Sequence, residues 1–440
     1  MEDIPSVNIL EGIRPGNAGT GAERLEYVVL SQSVAEYAAT HAERSHAFWS
    51  SEEGSVEELS KAHQLAAEFL LRTSLRATDS NDVNSELRAE RFTDSSIELY
   101  GEPDASEIIP MMLDDFAFFQ THLHNRNVDR LNLNKLLNSY WGILKMSVTQ
   151  EQIDNSGEKK TSISEATKKY GELLASKYDY IFDLVDESEI ESYGPNELLD
   201  IFSTSLGLLS EKDDESWKEW TVELKEGTNT SVTAIKKRIN VASSRALATK
   251  KDVKGLLAHE ILTHALRAKN GYNIDDKKLA TGLPQYIDAE EGLGILSEFA
   301  VTGEFPERAR NRYIDIALAL GAVNGKSLNR QTLFEISFSR AQLMNELSSE
   351  PVDLNQLKKS TWTHVDRIYR GGRGDTSTTN QAVFTKDIAY YDGYKKMRDY
   401  IDASYADGKT IEEIFDYLTL GKFDPTNPVH IKYLNQAIAN

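Results

Sequence analysis

Two histidines and a glutamate stand close together in His259-Glu260-Ile261-Leu262-Thr263-His264. Neutral imidazoles hold a zinc ion without cancelling its charge, so water on that ion becomes acidic. Glu260 adjoins the first histidine and can take the proton of such a water as general base. These residue types point to metal-assisted hydrolysis. A catalytic zinc takes three protein ligands and keeps one position open, so a third ligand must come from elsewhere. Downstream, Glu290-Glu291-Gly292-Leu293-Gly294 offers two carboxylates. The chain has no cysteine, which excludes thiolate ligands, thiolate nucleophiles and disulfides.

The spacing imposes a geometric condition. At about 100° per residue, two histidines four apart are offset by about 40° and share a helix face. His259 and His264 are five apart, and the same arithmetic separates them by about 140°. A regular helix cannot aim both rings at one ion. One extra residue in the turn, a π-bulge within residues 259 to 264, would bring them together, and such bulges are frequent at functional sites. The motif is flanked by Leu256, Leu257, Ala258, Ile261, Leu262, Ala265 and Leu266, so its helix is largely apolar and predicted to be buried. Three ionisable groups inside such a helix are costly unless paired or metal-bound. Glu260 and His264, four apart, could instead belong to a carboxylate-bridged di-iron site, but that site uses Glu-x-x-His on two helices and no second copy is present. His122 and His124 are better explained by a helix edge or turn. No G-x-S-x-G elbow and no phosphate loop occurs.

These residues need positioning elements. Helical periodicity places one helix over Lys251 to Lys269 with Asn270-Gly271 as its stop, and another over Asp288 to Val301 closed by Gly303 and Pro306. Gly292 and Gly294 lower helix propensity by about 1 kcal/mol each, which implies close packing, with the motif helix as the natural partner. Strand signals lie just upstream: Trp220 to Leu224, a turn at Gly227-Thr228-Asn229, and Arg238 to Ala242. They are either a small structural hairpin or an edge that receives an extended peptide. Helices are also expected between Ala22 and Thr78 (Val34-Tyr37-Ala38, Leu65-Ala66-Phe69-Leu70), over Pro110 to Asn125, Ser164 to Phe182 and Pro195 to Leu209, on through about residue 347, and over Lys386 to Ala403 and Ile411 to Leu418. Gln150 to Ser164 and Arg370 to Asp375 read as loops. At 440 residues, 40% apolar and 27% charged, a packed core is expected. A net charge of -21 disfavours nucleic acid and anionic lipid as partners. No signal peptide and no apolar run of membrane-spanning length is evident, so the chain reads as cytoplasmic.

Around these residues the chain resembles the microtubule-associated tyrosine carboxypeptidases and their bacterial relatives with a Q-E-G-L-A motif. His259, Glu260 and His264 match the family's H-E-x-x-x-H, continued by Leu266-Arg267 and Asn270-Gly271. Glu291-Gly292-Leu293 matches E-G-L, with Gly294 where Ala is usual. Phe384-Thr385-Lys386-Asp387 and Tyr390 to Gly393 resemble F-T-K-D-x-x-Y, Arg370-Gly371 stands upstream of it, and Tyr100-Gly101-Glu102-Pro103 resembles an early element. The similarity spans about residues 95 to 400.

The resemblance implies a zinc metallopeptidase with one Zn2+ on His259, His264 and Glu291, and Glu260 as base. It implies an α+β, predominantly helical, zincin-like fold with a small antiparallel sheet beside the metal-site helix. The activity implied is release of a C-terminal residue from a peptide or protein; an endopeptidase, another zinc hydrolase or a non-catalytic zinc-stabilised module shares the constellation. A terminal carboxylate would be held by a cation, for which Lys386 and Arg370 are candidates and Arg267 a weaker one, with Tyr390 helping the oxyanion. Eukaryotic members act on tubulin; a net charge of -21 and the lack of a basic extension argue against docking on acidic microtubules. The expected organisation is a flexible tail over 1–22, helices over 23–90, a catalytic domain over 91–405 and a helical extension over 406–440.

Overall fold

The computed structural model describes residues 100–439 apart from 146, 149–162, 191–192, 228–229, 244–248, 349–350, 352 and 370–380, together with Glu90, Thr93, Asp94, Ser96 and Ile97. The expected tail and helices before residue 79, most of the 150–164 loop, the 228–229 turn and the Arg370 loop lie outside the described residues.

The site-bearing helix begins where Thr249 and Asp252 form a reciprocal capping box, each side chain accepting from the other's backbone N–H. In chain order the helices are α1 Ala105–Thr121, α2 Arg130–Leu144, α3 Glu165–Lys177, α4 Asp179–Asp186, α5 Pro195–Lys212, α6 Lys250–His259, α7 Leu266–Asn273, α8 Lys277–Thr281, α9 Ile287–Thr302, α10 Glu307–Leu320, α11 Arg330–Leu347, α12 Leu354–Ile368, α13 Ala389–Ala406, α14 Ile411–Leu418 and α15 Pro428–Ala439. Glu260–Ala265, between α6 and α7, is a turn of π-helix. The π geometry expected from the five-residue histidine spacing is present at the motif.

Helix boundaries depart from the sequence reading in informative places. The first helix starts five residues before Pro110, because the Asp104 carboxylate accepts from Ser106 N–H and caps it. Asn270-Gly271 does not stop α7, which continues to Asn273. Gly271 serves packing instead: a Cβ there would lie 2.4 Å from Ala280 N. The chain turns at Asp275, in the left-handed region at φ 59°.

The sheet is three-stranded and mixed, in the order β1 (Thr221–Lys225), β3 (Arg238–Ala242), β2 (Ser231–Thr233). β1 and β3 pair in parallel, from Thr221 opposite Arg238 to Lys225 opposite Ala242. This corrects the antiparallel expectation. The short polar β2 carries no alternation signal, yet it pairs antiparallel with β3 and lets the chain return in the direction of β1. β3 is the buried central strand, while β1 is largely exposed. β2 packs beside the π turn.

One apolar core gathers α3–α6, the π turn, α9, α13 and α14. A second gathers α1, α2 and α10–α12. Helix α9 lies at the centre of the first, and its neighbours approach at backbone distance. A Cβ on Gly292 would sit 2.0 Å from the Gly393 carbonyl carbon of α13, and one on Gly171 of α3 would sit 2.1 Å from Ala300 O. The close packing inferred at Gly292 is therefore against α13 and not against the motif helix. Among the described residues no helix is long and apolar enough to cross a membrane.

Candidate metal centre

The π turn places His259 and His264 side by side, with ring centroids 4.8 Å apart and planes at 82°. The wider turn is supported from within: Thr263 Oγ1 donates to Ala258 O at 2.9 Å and lies 3.0 Å from Ser297 Oγ on α9. Opposite, Glu291 brings Oε2 to 4.0 Å from His259 Nε2 and 3.8 Å from His264 Nε2. One donor atom from each of the three residues lies within 4.8 Å of the others. A tetrahedral zinc site spaces its donors by about 3.3 Å, so small side-chain rotations bring the three into range. Both histidines and Glu260 are buried, whereas the Glu291 side chain is 24% exposed, so the cluster opens to solvent on the Glu291 side.

Helix α9 supplies three parts of this centre from one stripe. Glu291, Gly294 and Glu298 are spaced i, i+3, i+7 and face α6. A Cβ at Gly294 would lie 2.8 Å from His259 Cε1 and 2.9 Å from Nε2. Reciprocally, a Cβ at Gly255 of α6 would lie 2.9 Å from Glu298 Cγ. Each glycine makes room for a functional side chain of the facing helix. Gly294→Ala should displace the His259 ring and weaken metal binding by about 10–100-fold, as loss of ligand support does elsewhere. Competition against a chelator measures this, and an affinity equal to wild type would disprove the cradle role.

Both imidazoles are backed by carboxylates. His264 Nδ1 is 2.8 Å from Glu290 Oε1, and His259 Nδ1 faces Glu298 Oε2 at 3.5 Å. Such partners orient metal-ligating histidines and fix which ring nitrogen faces the ion. Glu298 in turn takes both ends of the Arg308 guanidinium. Burial alone would raise the Glu298 carboxyl, but the His259 ring and Arg308 hold it down at about 2. Glu290 sits deeper, bonded to Lys422 Nζ and Arg267 Nη1 as well as His264. Burial opposes its charge, yet Lys422, Arg267 and His264 hold it well below the usual carboxylate range. Burial likewise lowers the His264 pKa, but Glu290 and Glu291 outweigh it and raise the imidazole. Arg267 is fully buried and spent on this cage, donating also to Leu418 O at 2.9 Å and Phe423 O at 2.6 Å. The segment around Lys422, expected to be a separate extension, thus reaches the metal centre. Glu260 is buried with Oε2 lacking a hydrogen-bond partner among the described residues. An orphaned carboxylate oxygen beside three clustered donors fits a site whose remaining partner is a ligand or water.

Among the residues proposed to hold substrate, Tyr390 opens α13 and lies in the field of Glu291. Burial first, and Glu291 second, push its hydroxyl pKa up, so it stays a protonated donor. Lys386 is half-buried on a short 3₁₀ turn, Lys386–Ile388, next to Asp387. Arg370 lies outside the described residues. His122 caps α1 and contacts Phe118 O at 2.9 Å, the local role read from sequence. Asp387 stood in sequence only as part of the F-T-K-D resemblance, and Glu298, Arg308, Lys422, Arg312 and Arg367 were not indicated at all. Of these five, only Glu298 had a readable signal, its seven-residue spacing from Glu291.

Fold and cluster together define a predominantly helical protein with a small mixed sheet and a His-His-Glu donor set, its histidines buried and its glutamate half-buried, where a π-bulged helix crosses a glycine-bearing one. The chain belongs to the microtubule-associated tyrosine carboxypeptidase family, whose model matches residues 185–438. The matched span includes the cluster and Lys422. No curated protein and no solved structure shows significant similarity to the chain.

Proposed function

We propose that this protein is a zinc-dependent peptidase of zincin-like build that releases a C-terminal residue from a peptide or protein. The observation that supports this reading most is the convergence of His259 and His264, brought together by the π turn, with Glu291 of α9, next to a buried Glu260 oxygen that has no hydrogen-bond partner among the described residues. The three donors are the types and number that a catalytic zinc takes. When bound, zinc would supply Lewis acidity to a water and to the scissile carbonyl. Glu260 takes the proton of the attacking water and returns it to the leaving amine. Tyr390, kept protonated, donates toward the carbonyl oxygen as negative charge develops there. Glu290 and Glu298 hold the two rings in register. Strand β2 lies at a sheet edge beside the π turn, and such an edge would receive an extended substrate backbone.

The family description points to tyrosine as the residue removed. A net charge of -21 disfavours acidic microtubule surfaces, so tubulin is not carried over as substrate. The test joins metal analysis of the purified protein to mass spectrometry of a peptide library. One zinc per chain and stepwise loss of C-terminal residues are expected. Internal cleavage would indicate an endopeptidase, and stoichiometric zinc without turnover a non-catalytic module; either would defeat the carboxypeptidase reading.

A further inference from the structure

A carboxypeptidase needs a cation that recognises the terminal carboxylate, and three arginines stand around the residues that flank the cluster, Glu298, Asp387 and Tyr390. Arg308 and Arg312 are four apart on α10 and share a face. Arg367 comes from α12. Their existing partners separate them. Arg308 is neutralised by both oxygens of Glu298. Arg367 donates Nη2 to Asp387 Oδ1 at 2.8 Å. Arg312 has only a distant share of the same carboxylate, with Nε 4.0 Å from Asp387 Oδ2, beyond hydrogen-bond range. Its guanidinium lies over the Tyr390 ring, 4.8 Å from the centroid. No described residue accepts a hydrogen bond from it, and its side chain is 16% exposed, so its terminal nitrogens keep access to solvent.

We propose that Arg312 is the anchor for the substrate's terminal carboxylate, with Arg367, Asp387 and Tyr390 setting its orientation. The inference deepens the peptidase reading and rests on it for the identity of the anion. Two guanidinium groups share the one carboxylate of Asp387, so that carboxylate alone does not neutralise them. A planar guanidinium backed by an aromatic face offers two parallel donors to a carboxylate, which an ammonium cannot match. Tyr390 links the two halves of the site, lying under Arg312 and in the field of Glu291, and Arg367 feels Glu291 as well. An anion held at Arg312 therefore rests against Tyr390, the residue that lies in the field of the candidate ligand Glu291. This shifts the anchor from Lys386, which sits beside Asp387 on the neighbouring turn, to a residue that the family motifs did not indicate.

The test is equilibrium binding, so that it does not depend on turnover. A fluorescein-labelled peptide ending in tyrosine, as free acid or as C-terminal amide, is titrated into zinc-loaded protein in a Glu260→Gln background and followed by anisotropy. The free acid should bind at least about 30-fold tighter than the amide, the scale of losing one partner of a desolvated charge pair. Arg312→Ala should reduce that ratio to near one while leaving amide binding and the melting temperature unchanged. Arg312→Lys should restore only part of it. If wild-type Arg312 gives no discrimination, or Arg312→Ala retains it, the proposal is overturned. If discrimination depends on Arg312 but no peptide is ever cleaved by the unmodified protein, the anion subsite stands and the peptidase reading falls.

Discussion

Glu260→Gln should lower peptide hydrolysis by about 10²–10⁴-fold, the range that a positioned general base contributes. It should leave one zinc per chain. The amide has nearly the same volume and sits in the same buried position, so the fold has no reason to change. What it loses is the ability to accept a proton. The present carboxylate has one oxygen without a hydrogen-bond partner among the described residues, although burying an unpaired polar atom costs free energy. Such a cost is tolerated where the group serves a reaction. The measurement is kcat on a cleavable peptide, paired with elemental analysis of the same preparation. A variant that keeps zinc and wild-type turnover would remove Glu260 from the mechanism. A variant that loses zinc would show that Glu260 belongs to the ligand set instead.

The second large effect is expected at Glu290. This carboxylate is 4% exposed and binds Lys422, Arg267 and His264 together. Glu290→Gln removes the negative charge and leaves two buried cations facing each other. Breaking a buried pair by deleting one partner costs about 3–5 kcal/mol, far more than the net worth of keeping it. His264 also loses the charged acceptor that fixes its ring, so zinc affinity should fall by about 10–100-fold. Denaturant unfolding and chelator competition measure the two losses separately. Adding Lys422→Met to Glu290→Gln should recover part of the stability, because one stranded charge is removed, and the double-mutant cycle reports their coupling. If Glu290→Gln costs less than about 1 kcal/mol, the cage is not a structural unit. Its pH behaviour follows from the depressed carboxyl. A carboxylate whose folded pKa lies below its unfolded value contributes stability above the ordinary carboxylate pKa, and that stability is lost as pH falls toward the folded value. The cage should therefore stay intact throughout the neutral and mildly acidic range.

Much of the candidate centre was legible in the order of residues. The donor types at positions 259, 260 and 264 defined the chemistry, and the five-residue interval required a π turn because helical angles leave no other way to align the rings. The long apolar segments around Leu256 and Leu293 marked the two helices to within a residue or two at most ends. These features are local, set by side-chain identity and by a periodicity that repeats every few residues.

Other features depend on which distant segments meet. Strand pairing is non-local: nothing in Thr221–Lys225 states whether its neighbour is the next strand or the one after it, and β3 inserts between β1 and β2. Gly271 reads as a helix stop and Gly292 as a helix-weakening residue, but only the approach of Ala280 and of Gly393 reveals why a side chain is excluded. Arg267, Glu290 and Lys422 stand 23 and 132 residues apart and are each ordinary charged residues in sequence. Burial in one place turns them into a cage that orients His264. The same holds for Arg312, whose distinction is not its identity but the lack of a full partner where Arg308 and Arg367 have theirs. Thus the sequence by itself determined the donor types and the distortion of their helix, because both follow from residue type and spacing along one segment. Tertiary structure alone decided which carboxylates support each imidazole, and which cation is left to meet a substrate. Partnership in a buried site depends on contacts between segments that the linear order does not encode locally.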